Sequence, residues 1–211
     1  MNVESENKKI GRKLFYFPIV HTPADMGKLS GAVKEIYLKR VGRAGWKRKL
    51  DVVDKFWDQI AEIIFGLDLE KSVIRVYQDG LPVVSDGKER EIIERLAESG
   101  SRNHALVVQL LKRGAVLMGT ESIELLMAEY ELTQKLLERT STPTRGGAKK
   151  ILERQDDLLK QRDQFIADRI NQTLRPGEIG ILFLGLLHDV RPWLSNDIEV
   201  VCPIHIEGLR R

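Results

Sequence analysis

Glu178–Asp189, EIGILFLGLLHD, is the stretch that most limits how this chain can fold. An amphipathic surface helix would interrupt such a run with polar residues at every turn, and a half-exposed strand would alternate. The run does neither, and Pro176-Gly177 behind it and Asp189 ahead keep it short. It reads as a strand buried on both faces, as in a parallel sheet covered by helices. Gly185-Leu186-Leu187-His188 then delivers an imidazole where the strand leaves the sheet. Leu14–Val20, LFYFPIV, repeats the design near the N-terminus and delivers His21. Ligands of open α/β sheets bind outside the carboxyl ends of the strands, so two histidines at two such ends direct attention to one rim.

The segments between these two complete the pattern. Helical spacing runs through Leu29, Val33, Ile36 and Tyr37 and ends near Gly42. A second helix starts near Trp46, carries Val53, Phe56-Trp57, Ile60 and Ile63-Ile64 on one face, and stops at Gly66. Ser72–Tyr77 is a predicted strand closed by the turn Asp79-Gly80-Leu81-Pro82. Lys88–Glu98 and Asn103–Lys112 read as short helices, Ala115–Met118 as a brief strand, and Ser122–Arg139 as a helix. A long helix fills Ala148–Leu174, and Ile198–Ile206, with Pro203 inside it, reads as an edge strand or a bulged one. Alternating strands and helices predict an α/β domain with a four- to five-stranded, mainly parallel sheet flanked by helices. The 211 residues suit one domain over 1–211, with 1–12 a flexible N-terminus and 141–147, STPTRGG, a mobile loop.

Composition narrows the function classes. Hydrophobic residues at 42% and charged residues at 31% fit a soluble globular chain. No apolar run approaches the roughly 18 residues of a membrane span, and the polar opening MNVESENKK is no signal peptide. One cysteine, Cys202, excludes an internal disulfide and fits the cytoplasm. The net charge of +3 does not by itself imply nucleic acid. Lys28, Lys34, Lys39, Arg40, Arg43, Lys47, Arg48 and Lys49 do cluster, with only Glu35 among them. The reading adopted for that cluster is a solvated pair of helix faces, with contact to phosphates as the disfavoured alternative.

Each predicted strand end carries an imidazole or a carboxylate: His21 with Asp25, then Asp79, then Glu121, then His188 with Asp189. Imidazole and carboxylate together suit a divalent metal such as zinc, manganese or cobalt, and the same groups serve as general acid and base without one. The chain has no HExxH, no CxxC pair, no phosphate-binding GxxxxGK[ST] loop and no GxSxG elbow. Within the long helix, Ile151, Leu158, Leu159, Phe165, Ile166 and Ile170 form an apolar stripe. Arg162 falls in the middle of it and Arg169 close by. A guanidinium aimed at a core needs an anionic partner. Arg162 is therefore expected to hold a substrate oxyanion or a ligating carboxylate; the alternatives are a snorkelling arginine or a structural salt bridge to Asp163, Asp79 or Glu121. His104 reads as a surface or cap residue, His205 as a core or edge histidine with a third rim imidazole as the alternative, Cys202 as a small core residue, and Trp46, Trp57 and Trp193 as core or interface residues.

Three of these segments together resemble one family. Gly185-Leu186-Leu187-His188 is similar to the GxxH motif of TraB/Tiki-type proteins and of their ChaN-like haem-associated and erythromycin esterase-like relatives. Residues 162–170, RDQFIADRI, look like that family's R-[DN]-x-x-[MI]-A-x-x-I segment, with Arg162 as the motif arginine. Pro18-Ile19-Val20-His21 approximates the first motif with proline in place of glycine, and Asp79 stands where a glutamate is usual. The resemblance covers about the first 25 residues and 162–190. It implies a ChaN/EreA-like α/β fold whose site comprises His21, Asp79, Arg162 and His188, with Glu121 as a further acid.

The expectation is a metal-dependent hydrolase of peptide, ester or similar bonds. His21, His188 and Asp79 would hold manganese, cobalt or zinc, Glu121 or Asp25 would act as base, and Arg162 would stabilise developing charge. Its substrate would be a small molecule or peptide, and a homo-oligomer is allowed. The alternative is a non-catalytic protein that holds a small ligand or haem on the same rim.

Overall fold

A computed structural model describes residues 11–20, 30–67, 72–84, 87–139 and 145–204. The elements in chain order are β1 (Arg12–Ile19), α1 (Ser30–Gly66), β2 (Ile74–Gln78), α2 (Lys88–Glu98), α3 (Arg102–Lys112), β3 (Val116–Met118), α4 (Ile123–Arg139), α5 (Arg145–Thr173), β4 (Ile179–Gly185) and β5 (Ile198–Val201). The five strands form one all-parallel sheet in the order β3-β2-β4-β1-β5. The most apolar strand, β4, therefore lies at its centre, and six of its seven residues are buried.

Side-chain alternation along each strand sorts the core into two layers. Phe17, Ile19, Ile74, Val76, Ile181 and Phe183 face α1, α2 and α3. Leu14, Tyr16, Tyr77, Leu182 and Leu184 face α5, which buries Ile166, Ala167 and Ile170 against them, with Leu174 just past its end. On α1, Val53, Trp57, Ile60 and Ile64 are buried, the i, i+4, i+7, i+11 stripe of a helix resting on a sheet. Trp57 packs its ring 6.3 Å from that of Phe183. Upstream of Val53 the helix leaves the sheet, and its axis breaks at Gly42, whose φ of 69° and ψ of 176° are not helical. That break separates the two helices expected on either side of it.

Two arginines, Arg12 buried and Arg75 half-buried, tie the ends of the strands that lie opposite the histidine rim. Arg12 binds Asp197 through two nitrogens and also donates to the carbonyls of Asn171 and Leu174 at the end of α5. Arg75 on β2 makes a two-pronged pair with Glu178, just before β4. Arg12 is thus already strand, although the sequence suggests a flexible tail to residue 12; residues 1–10 lie outside the described part. Of the expected loop 141–147, residues 141–144 also lie outside it and 145–147 open α5. β5 is an edge strand and stops before Pro203, which cannot donate to a ladder. Among the described residues, no helix is long and apolar enough to cross a membrane.

Candidate functional site

Asp79 follows the last residue of β2 and, by alternation, points to the same side of the sheet as Tyr77, toward α5. Its backbone N–H donates to the Phe183 carbonyl at 2.9 Å, extending the ladder by one rung. Its Oδ2 accepts from the Gly185 N–H at 2.8 Å, so the ends of β2 and β4 are joined through this carboxylate. Gly80 then reverses the chain with a φ of 73°, a region glycine enters without strain. The end of β3 is fixed against the same turn. Thr120 and Glu121 both donate to the Leu81 carbonyl at 2.9 Å, and Val83 donates to the Glu121 carbonyl at 2.8 Å. Gly119 permits this approach, since a Cβ there would stand 2.7 Å from Val83 Cα. The fully buried Glu121 also accepts from the Gly80 N–H at 3.0 Å.

Arg162 enters this corner from α5, between the buried Leu158 and Ile166. Its Nε donates to Glu121 Oε2 at 2.7 Å and its Nη2 to Glu121 Oε1 at 2.5 Å and to Asp79 Oδ1 at 2.9 Å. Its Nη1 reaches Glu129 Oε2 on α4 at 2.6 Å. Burial disfavours the guanidinium charge, but Glu121, Asp79 and Glu129 outweigh it and hold the proton more tightly than usual. Burial pushes the Glu121 carboxyl above its ordinary range, Asp79 adds to that, and Arg162 opposes it. The cation expected in the apolar stripe is present, and it is engaged by protein carboxylates.

The second half of the site is built on His188. Its N–H closes a turn onto the Gly185 carbonyl at 3.0 Å, and its own carbonyl accepts from the Tyr16 hydroxyl at 3.0 Å. Nδ1 lies 2.5 Å from Asp163 Oδ1, whose other oxygen accepts from the Asp189 N–H at 3.0 Å. A carboxylate partner requires the proton on Nδ1, which leaves Nε2 as the atom that exchanges protons or binds a cation. Nε2 is 3.9 Å from Asp79 Oδ1, within ion-pair range and beyond a hydrogen bond. Burial works against an imidazolium, and so does Arg162. The bond to Asp163 and the charge of Asp79 prevail, so His188 titrates above the ordinary histidine value.

The structure thus brings Asp79, Glu121, Arg162 and His188 to one corner of the rim, while His21, Asp25 and His205 lie outside the described residues. It shifts two expected roles. Glu121, expected as a base, is sealed from solvent with both oxygens bonded, and Arg162, expected to meet developing charge, has its guanidinium spent on three carboxylates. Both hold the site's shape. Sequence reasoning missed Asp163 as the orienting partner of His188, although it occupies the [DN] position beside Arg162. It also missed Glu129, for which no sequence signal exists. His104 is buried against the Ser101 cap, with Nδ1 2.6 Å from Ser101 Oγ, and is a cap residue removed from the surface. Cys202 and Trp193 are half-buried against the α5 layer, and Arg169 donates to the Gly119 carbonyl.

A divalent ion fits this corner in part. An imidazole oriented by a carboxylate on its far nitrogen is the usual form of a metal-binding histidine. Two ligands of one tetrahedral ion stand about 3.3 Å apart, so His188 Nε2 and Asp79 Oδ1, at 3.9 Å, would have to close by about 0.6 Å to share one. Among the described residues, no group of three or more His, Cys, Asp or Glu side chains gathers to hold a metal, so further donors must come from elsewhere. Comparison with protein-family models, curated proteins and solved structures gives no match.

Proposed function

We propose that this rim is the active site of a metal-dependent hydrolase of the TraB/ChaN-like type, with His188 as a ligand of the ion that activates water. The observation that carries the reading is the buried relay Asp163–His188–Asp79, in which one carboxylate orients the imidazole and a second faces its free nitrogen. Carboxylates that favour a proton on Nε2 favour a divalent cation there for the same electrostatic reason. His188 and Asp79 would hold manganese, cobalt or zinc, with His21 as a candidate third donor. Such an ion supplies Lewis acidity, lowering the pKa of bound water to about 7. Asp163 keeps Nδ1 protonated, Arg162 restrains the Asp79 carboxylate that faces Nε2, and Tyr16 fixes the His188 backbone. The single cysteine supports a cytoplasmic setting, and a small-molecule or peptide substrate remains part of the reading.

The test is a hydrolysis screen with generic esters, peptides and phosphoesters plus manganese, cobalt or zinc, run alongside metal analysis of protein purified without chelators. Activity that falls by about 10²- to 10⁴-fold in His188→Ala supports the reading. Absence of turnover together with ligand-induced thermal stabilisation would replace it with small-ligand or haem binding on the same rim.

A further inference from the structure

The basic segment at the start of α1 is absorbed by nothing above. Residues 30–49 carry seven lysines and arginines against one acid, a net charge of +6 in a chain whose total is +3. The rest of the chain is therefore net acidic. Lys34, Lys39, Arg40, Arg43, Lys47 and Arg48 are exposed, and among the described residues Lys39 is the one of these with a carboxylate partner, Glu35 at 2.8 Å.

The segment is also shaped. Across the break at Gly42 the chain folds back far enough to bring the Tyr37 and Trp46 rings to 5.5 Å, edge to face, although they are nine residues apart. In a continuous helix that separation is about 13 Å along the axis. Lys49 Nζ lies over the Tyr37 ring, 4.0 Å from its centroid. The result is a two-armed projection with aromatics inside and cations outside. Its direction follows from α1: Trp57 packs on Phe183 near the C-terminal end of β4, and Ile64 lies with Ile74 at the opposite end of the sheet. The helix upstream of Val53 therefore runs beyond the C-terminal rim, and the ten residues back to Arg43 extend about 15 Å past the last sheet contact.

We propose that this arm binds the phosphate backbone of nucleic acid. Several exposed cations on one projection, without carboxylate partners among the described residues, match a repeating anion better than a single phosphate. A lipid surface is the less suitable polyanion, because an interfacial helix needs its aromatic and large apolar residues facing outward along one side. Here Tyr37 and Trp46 are turned onto each other, and the exposed Ile36 and Val41 are five residues apart, on different sides of a helix. The inference rests on the arm and is independent of hydrolysis at His188.

Fluorescence anisotropy of the full chain with random-sequence 20-base-pair duplex and 20-nucleotide single strand, from 50 to 300 mM salt, tests it. If five cations each neutralise one phosphate, duplex affinity falls about 500-fold between 50 and 200 mM. Arg40→Gln/Arg43→Gln/Lys47→Gln should reduce the slope of log affinity against log salt by about 3 while leaving the melting temperature unchanged. No binding at 50 mM salt overturns the proposal, as does a slope unchanged in the triple variant. Binding to phosphatidylserine vesicles without binding to nucleic acid overturns it as well.

Discussion

Arg162 donates to three carboxylates, two of which, Asp79 and Glu121, are shut away from water. Removing the guanidinium leaves those two charges buried together, so Arg162→Met should destabilise the fold by about 3–5 kcal/mol in urea titration. Glu129 is 46% exposed, and Glu129→Gln should cost less than about 1 kcal/mol. Asp163 accepts from both His188 and Asp189, whereas an asparagine has one acceptor oxygen. Because His188 titrates above its unfolded value, its stabilising contribution is complete below about pH 6.5 and fades as pH rises through the folded value. Asp163→Asn should therefore cost about 1–3 kcal/mol at pH 6 and less at pH 9 by denaturant melts. At this scale the sequence was legible where a residue broke a pattern, as Arg162 does in an apolar stripe. Asp163 breaks none, since an acid beside an arginine on a long helix is ordinary; its pairing depends on where the loop after β4 places His188.

Among the elements, the loops after β2 and β3 are held together most tightly where no side chain intervenes. A methyl on Gly119 would meet backbone at 2.7 Å from Val83 Cα and 3.0 Å from the Pro82 carbonyl oxygen, neither of which can rotate away. Gly119→Ala should cost about 1–3 kcal/mol. A methyl on Gly180 would come 2.6 Å from Leu14 Cδ1, the mobile end of a side chain, so Gly180→Ala should cost less. Thermal melts of the two variants, side by side, check the ordering. The elements themselves were readable because periods of 2 and 3.6 differ over short windows. Glycine marks the interruption in α1 in the sequence, but the close contact of Tyr37 with Trp46 depends on the left-handed backbone at Gly42, which composition does not encode.

At the scale of the whole molecule, the parallel sheet follows from strand–helix alternation, but its order β3-β2-β4-β1-β5 does not. β1, β2 and β4 each present apolar residues to both layers, so other orders would bury them equally well. This one is accompanied by long-range fits such as Arg12 with Asp197 and Arg75 with Glu178, between residues that are unremarkable apart. The placement of β1 has a consequence for the history of each molecule. Its two neighbours are β4 and β5, with Lys13 beside both Ile179 and Glu199, so β1 is synthesised well before either of its partners. A ribosome still reading the middle of the message has released a sticky, partnerless LFYFPI segment, exposed to chaperones and to other nascent chains. In pulse-labelling refolding experiments the amides of β1 should gain protection no earlier than those of β4, and truncation before β4 should give aggregates.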